Sequence, residues 1–126
     1  MNELDHRKLI ADLAAQFAPV LEKSSQAVYL YLDDTHKVCN KKFADVFGYE
    51  SPDEWAEMEA PLADVVAEDQ SMVVRAYRAA VQKFKTTTLS VRFHNVKTHR
   101  AFRRRLTVVP LPFKGQLFTA NFIDKA

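Results

Sequence analysis

Arg104 is the residue with the most chemical potential in this chain. Strand alternation places it on the same face as Phe102, Leu106 and Val108. An arginine turned toward apolar neighbours is costly unless something meets its charge. Three environments would do so: a carboxylate or phosphate ligand in a cavity between a helix and the sheet, an internal carboxylate, or water reached through a bulge. Lys97, Arg100, Arg103 and Arg105 complete a basic cluster, in which Arg103 and Arg105 read as a solvated strand face. A nucleic-acid surface would need aromatics on that same face and more than the net charge of +2 found here, so nucleic acid is not an expected partner. His6, His36, His94 and His99 show no paired ligand spacing, and no metal site is expected. Cys39 is the single cysteine, which excludes an internal disulfide, fits a reducing compartment and reads as a small buried residue. No phosphate loop, catalytic triad or metal-binding carboxylate set is present, and no carboxylate falls at a clear core position.

A chain of 126 residues, 48% of them hydrophobic, makes one domain with enough core to fold. No apolar run approaches the roughly 18 residues of a membrane span. The polar, acidic start does not resemble a secretory leader. These features lead to the expectation of a soluble, cytoplasmic protein without membrane contact.

The elements that must position these side chains follow from periodicity. Residues 2–18 form an amphipathic helix, with Leu9, Leu13, Phe17 and Val20 near one stripe and Pro19 expected to end it. That stripe either caps the chain's own sheet or packs on a second subunit. Residues 27–32 and 36–39 are β-prone on either side of an Asp-rich turn. Asn40 is a good cap for a short helix closed by Gly48, and Ser51, Pro52 and Glu54 form the start of another. Residues 61–66 are ambiguous. Residues 68–84 form a long helix with Val73, Tyr77, Ala80, Val81 and Phe84 facing inward. A hairpin follows, and one register opposes both Phe93 to Phe102 and Leu89 to Leu106. Pro110 and Pro112 should make the second strand leave the sheet or lie at an edge. Lys114-Gly115 turns into a last strand over 116–123, apolar on both faces and therefore covered on both. The result is α+β with an antiparallel five-stranded sheet, short helices and one long helix on one face, and an N-terminal amphipathic helix.

From residue 26 to 124 the chain resembles a PAS domain. The order of elements agrees, as do Asn40…Phe43…Phe47-Gly48-Tyr49, Ser51-Pro52-Asp53-Glu54 and the lead from Leu62 to Asp69 into the long helix. Phe122-Ile123-Asp124 stands where many members carry an Asp-Ile-Thr triad, with only Lys125 and Ala126 after it. Lys97-Thr98-His99 replaces the usual Lys-Asp-Gly hairpin. The resemblance implies two parts: a cap or dimerisation helix over 1–23 and a sensory domain over 24–126. It implies a non-catalytic module for signal transduction or transcription regulation, with no attached effector in this chain. It further implies a homodimer through Leu9, Leu13, Phe17 and Val20, and a signalling protein partner reached in trans. A small anionic or apolar ligand would sit in a cavity whose candidates are Arg104, Trp55, Tyr77, Phe84 and Asn121. Haem is not expected, because no histidine lies on the long helix where haem-binding members place their ligand. Covalent flavin is not expected either, because Cys39 precedes Asn40 at a strand end and not in the photoreceptor cysteine motif. The cofactor otherwise stays unknown. Two rivals remain: a small enzyme of ketosteroid-isomerase-like cone fold, and a basic-patch nucleic-acid binder.

Overall fold

The computed structural model describes residues 2–33, 35–58 and 62–125. Helix α1 spans Glu3–Lys23, and the Asn2 side chain accepts from the Asp5 amide at its start. Pro19 does not end it, contrary to expectation. The helix runs on for another turn, and Ser24 closes it by donating to the Val20 carbonyl at 3.0 Å. Pro19 and Ala15 are both exposed, so the carbonyl that loses its donor faces water.

Strands β1 (Ala27–Tyr31) and β2 (Lys37–Cys39) pair with Tyr29 opposite Cys39. Asn40 then ties three pieces of backbone together. Its Oδ1 accepts from the Phe43 amide at 2.9 Å and the Val28 amide at 3.1 Å, while Nδ2 donates to the Gln26 carbonyl at 2.8 Å. Helix α2 (Lys41–Phe47) ends at Gly48, whose φ is +86°. A side chain there would be strained by that angle and would also run into the Asn95 side chain. Helix α3 (Pro52–Ala56) starts as expected, with Ser51 Oγ accepting from the Glu54 amide.

The ambiguous stretch proves to be an edge cover, apart from Pro61, which lies outside the described residues. Val65 bridges Phe93, the Val66 amide donates to the Arg92 carbonyl at 2.9 Å, and the His94 amide donates to the Asp64 carbonyl at 2.8 Å. This guards a strand edge that would otherwise present free amides and carbonyls. A 3-10 turn, Ala67–Asp69, leads into α4 (Gln70–Lys83). The long helix buries Val73, Ala76 and Ala80, not the wider stripe expected. Val81 is half out, and Phe84 leaves the helix as a left-handed cap with φ +52°.

Strands β3 (Thr87–His94), β4 (Ala101–Phe113) and β5 (Gln116–Lys125) complete one antiparallel sheet in the order β2-β1-β5-β4-β3. The hairpin register is the expected one, with Phe93 opposite Phe102 and Leu89 opposite Leu106. At Pro110 and Pro112, β4 stays paired with β5 but has already run past the start of β3, so the prolines lie at an edge. Lys114 and Gly115 both have positive φ, the geometry of a tight hairpin turn.

The sheet has two cores. Phe43, Phe47, Trp55, Val73, Ala80, Val91, Phe93, Leu106 and Val108 fill the side covered by α2, α3 and α4. On the other side Leu9, Ile10 and Leu13 of α1 pack on Leu30, Leu32, Phe118 and Ala120. Leu9 and Leu13 are therefore spent on the chain's own sheet, which realises the first of the two covers considered for that stripe. Of the four residues assigned to a subunit interface, Val20 is 41% exposed and Phe17 is half-buried, and those two stay accessible.

Candidate functional site

A slot of about 320 Å³ opens where α4 passes the ends of β1 and β5. Its wall is mostly apolar: Leu62, Val74 and Val81 on one side, Leu117 and Phe118 on the other, with Tyr31 and Tyr77 between. The two tyrosine rings lie 5.3 Å apart. Thr119 and Arg78 add polar residues to this lining. Arg78 forms no ion pair among the described residues, and its exposed side chain stands at the rim.

A buried polar thread leads inward from the slot. The Tyr77 hydroxyl hydrogen-bonds the Tyr29 hydroxyl. Burial pushes both phenols above their ordinary range, and for Tyr29 the neighbouring Tyr77 adds to the rise. Asn121 is fully buried beneath Thr119. Its Nδ2 donates to Thr119 Oγ1 at 3.1 Å and to the Tyr29 carbonyl at 3.3 Å. Nothing among the described residues donates to Asn121 Oδ1. A buried acceptor without a donor is a standing cost of about 1–3 kcal/mol.

A second polar centre sits beside α3. Asp64 is 7% exposed, accepting from the Tyr49 hydroxyl at 2.6 Å and from Trp55 Nε1 at 3.1 Å. Lys37 is buried next to it, donating to the Trp55 carbonyl at 2.8 Å and lying 4.2 Å over the indole. Burial raises the Asp64 carboxyl and lowers the Lys37 ammonium, while their mutual field works against both shifts. This corrects the expectation that no carboxylate occupies the core. Both Asp64 oxygens accept hydrogen bonds here, and Asp64 also lines a cavity of about 390 Å³ with Tyr49, His94, Asn95 and His99.

The five cavity candidates therefore separate. Tyr77 lines the slot, and Asn121 lies just beneath it. Trp55 is 2% exposed and serves as a ring among rings, 5.4 Å from Tyr29 and 4.7 Å from Phe43. Phe84 is 61% exposed and is not part of the slot, and it caps the helix in a left-handed conformation. Arg104 keeps the expected parity but lies far along β4, where it lines a separate cavity of about 380 Å³ with Lys42, Val46, Asp124 and Lys125. There its guanidinium rests 5.0 Å over the Phe102 ring and donates to the Arg103 carbonyl at 3.0 Å, so neither an internal carboxylate nor the slot receives it.

Five antiparallel strands in this order, with the first and last side by side at the centre and helices α2 to α4 on one face, decide the fold. The chain has the PAS fold. Neither a family model nor a curated protein sequence matches it. Solved PAS domains superpose on nearly all of it. The PAS domain of a protein from Colwellia psychrerythraea is 16% identical, with a TM-score of 0.70, covering 91% of this chain and 98% of that one. A PAS domain of an HTR-like protein from Haloarcula marismortui is 10% identical, with a TM-score of 0.64, covering 98% and 100%. A PAS domain of a LuxR-family transcriptional regulator from Burkholderia thailandensis, described in complex with ethanol, is 11% identical, with a TM-score of 0.62, covering 86% and 96%.

Within this PAS fold Cys39 is buried, its thiol pushed up to about 12 by desolvation, so a reactive thiolate does not form there. No group of three or more potential metal ligands is gathered among the described residues. No described helix is long and apolar enough to cross a membrane. Sequence reading missed Asp64, Tyr49, Arg78, Tyr31 and Thr119. Parity could have found two of them, since Tyr31 and Thr119 share strand faces with Tyr29 and Asn121.

Proposed function

We propose that the protein is a non-catalytic PAS-type sensory module that binds a small, mainly apolar molecule in the slot between α4 and the ends of β1 and β5. The observation that carries this reading is the double duty of Leu32 and Phe118. Both touch the slot, and both pack against α1 on the other side of the sheet. A molecule that pushes on them changes how α1 seats, and such a change can be read by a partner in trans. Support also comes from a PAS neighbour described with bound ethanol. Arg78 suits a ligand with one anionic group outside and an apolar tail inside. A homodimer through Phe17 and Val20 would place α1 where this movement matters.

The test is calorimetry with octanoate and octanol. Wild type should bind both, with octanoate the tighter. Arg78→Ala should remove the preference for octanoate, and Leu117→Trp or Val74→Trp should abolish binding of either by filling the slot. Wild-type affinity in both tryptophan variants, or no heat for either compound with wild type, overturns the reading. Val20→Glu should shift the mass measured by light scattering to the monomer. A wild-type monomer at every concentration would dismiss the dimer.

A further inference from the structure

Charge is divided sharply along this chain. Residues 1–84 hold nine Lys and Arg against fifteen Asp and Glu, whereas residues 85–123 hold eight Lys and Arg and no carboxylate. The fold gathers several of these cations on one surface. Helix α1 covers the outer face of the sheet over β1, β5 and the C-terminal part of β4, and leaves the outer face of β3 and the start of β4 uncovered. There Ser90, Arg103 and Arg105 are exposed and Arg92 is half-buried.

Two of these cations are set against one another: Arg92 lies directly opposite Arg103 across β3 and β4, whereas Arg105 lies opposite Asp124 across β4 and β5. Like charges facing each other across a ladder destabilise it. Arg92 pairs with Asp69, which accepts from its Nη2 at 2.9 Å and its Nε at 3.1 Å and also lies in the field of Arg103. Arg103 donates only to Ser90 Oγ at 3.0 Å, and Arg105 reaches the Lys125 carbonyl at 3.5 Å. Neither forms an ion pair among the described residues. Two planar guanidinium groups that are free to fork, beside a hydroxyl on a flat sheet, suit carboxylates.

We infer that the uncovered outer face of β3 and β4, centred on Arg103 and Arg105, docks an acidic segment of another protein. Nucleic acid fits less well. The patch interleaves no exposed aromatic on which a base could stack, and the other two-thirds of the chain is net acidic and repels a polyanion. The inference stands independently of the slot.

The test is fluorescence anisotropy with a labelled poly-glutamate peptide of about twenty residues and, separately, an oligo-dT of similar length, in low and in moderate salt. Wild type should bind the peptide, more weakly as salt rises, and more tightly than it binds the oligonucleotide. Arg103→Glu with Arg105→Glu should weaken peptide binding by about tenfold or more. Lys8→Glu with Lys23→Glu makes the same change in net charge on exposed positions of α1 and should leave binding near wild type. Circular dichroism melting confirms that both variants are folded, and Arg103→Gln with Arg105→Gln gives a milder step if the reversal unfolds the chain. Absence of peptide binding, equal loss in the α1 control, or tighter binding to oligo-dT would each overturn the inference.

Discussion

The two faces of the sheet are built by different rules. The inner face is aromatic and jointed by polar groups: Phe43 stacks on Phe47 at 4.2 Å, Phe47 meets Phe93 edge-on, and Tyr49, Asp64 and Trp55 share hydrogen bonds. The outer face is hydrophobic under α1, where Phe118 and Phe122 join Leu30 and Leu32, and cationic beyond it. Aromatic packing with buried hydrogen bonds fixes one geometry, and the slot lies where α4 runs out over the strand ends. The α1 cap covers only half of its side of the sheet, held by hydrophobic packing and by the contacts of His6 with Asp33 and of Asp12 with Lys114. In the function proposed above, the inner face would recognise the ligand and the α1 side would report it.

The sharpest way to break this contrast is to cut into the inner face. Phe47 is wholly buried at the meeting of α2, β3 and β4, and Phe47→Ala should cost about 3–5 kcal/mol in urea unfolding. A loss below about 1 kcal/mol would mean that the inner face is no better specified than an exposed surface.

A second probe acts at the join of α1 to the sheet. Asp33 accepts from His6 Nε2 of α1 at 2.8 Å and from His36 Nδ1 at 2.9 Å. Partial burial works to raise its carboxyl, but the hydrogen bonds from His6, Thr35 and His36 prevail and hold it well below the usual range. A carboxyl lowered by folding adds stability that is complete above its unfolded pKa of about 4 and is lost as pH falls through the folded value. Asp69, lowered first by its hydrogen bonds from Arg92, acts in the same direction, while Asp64, raised by burial, acts in the opposite one. Wild-type stability should therefore fall as pH drops below about 5, and Asp33→Asn should flatten that fall in melts taken from pH 6 to 3. An unchanged slope would remove Asp33 from the attachment of α1.

The smallest expected effect is a gain. Phe84 holds a left-handed backbone with most of its side chain in water, so Phe84→Gly should raise stability by about 1 kcal/mol. A loss would show that Phe84 packs on something that stabilises the folded chain.

Much of this architecture was legible where two independent patterns agreed. The hairpin register followed from alternation, because only one alignment opposes Phe93 to Phe102 and Leu89 to Leu106 together. The short helices followed from Asn40, Gly48 and Ser51, whose side chains or backbone freedom act locally. What escaped reading was settled by tertiary context. Pro19 is tolerated because the carbonyl it strands faces water, and Phe84 turns outward because a cap conformation overrides the helical stripe. Asp64 sits in a stretch without periodicity, and only the folded chain brings Tyr49, Trp55 and Lys37 around it. The slot is assembled from α4, β1 and β5, with Leu62 ahead of them, so no single segment announces it.

The division between the faces can be examined in one measurement, an amide proton–nitrogen NMR spectrum of the assigned protein titrated with octanoate. The account predicts shifts concentrated at Tyr31, Leu117, Thr119 and Asn121, a smaller set in α1 around Leu9 and Leu13, and none at Ser90, Arg103 and Arg105. Shifts centred on the arginine surface, or a spectrum that does not change, would contradict it.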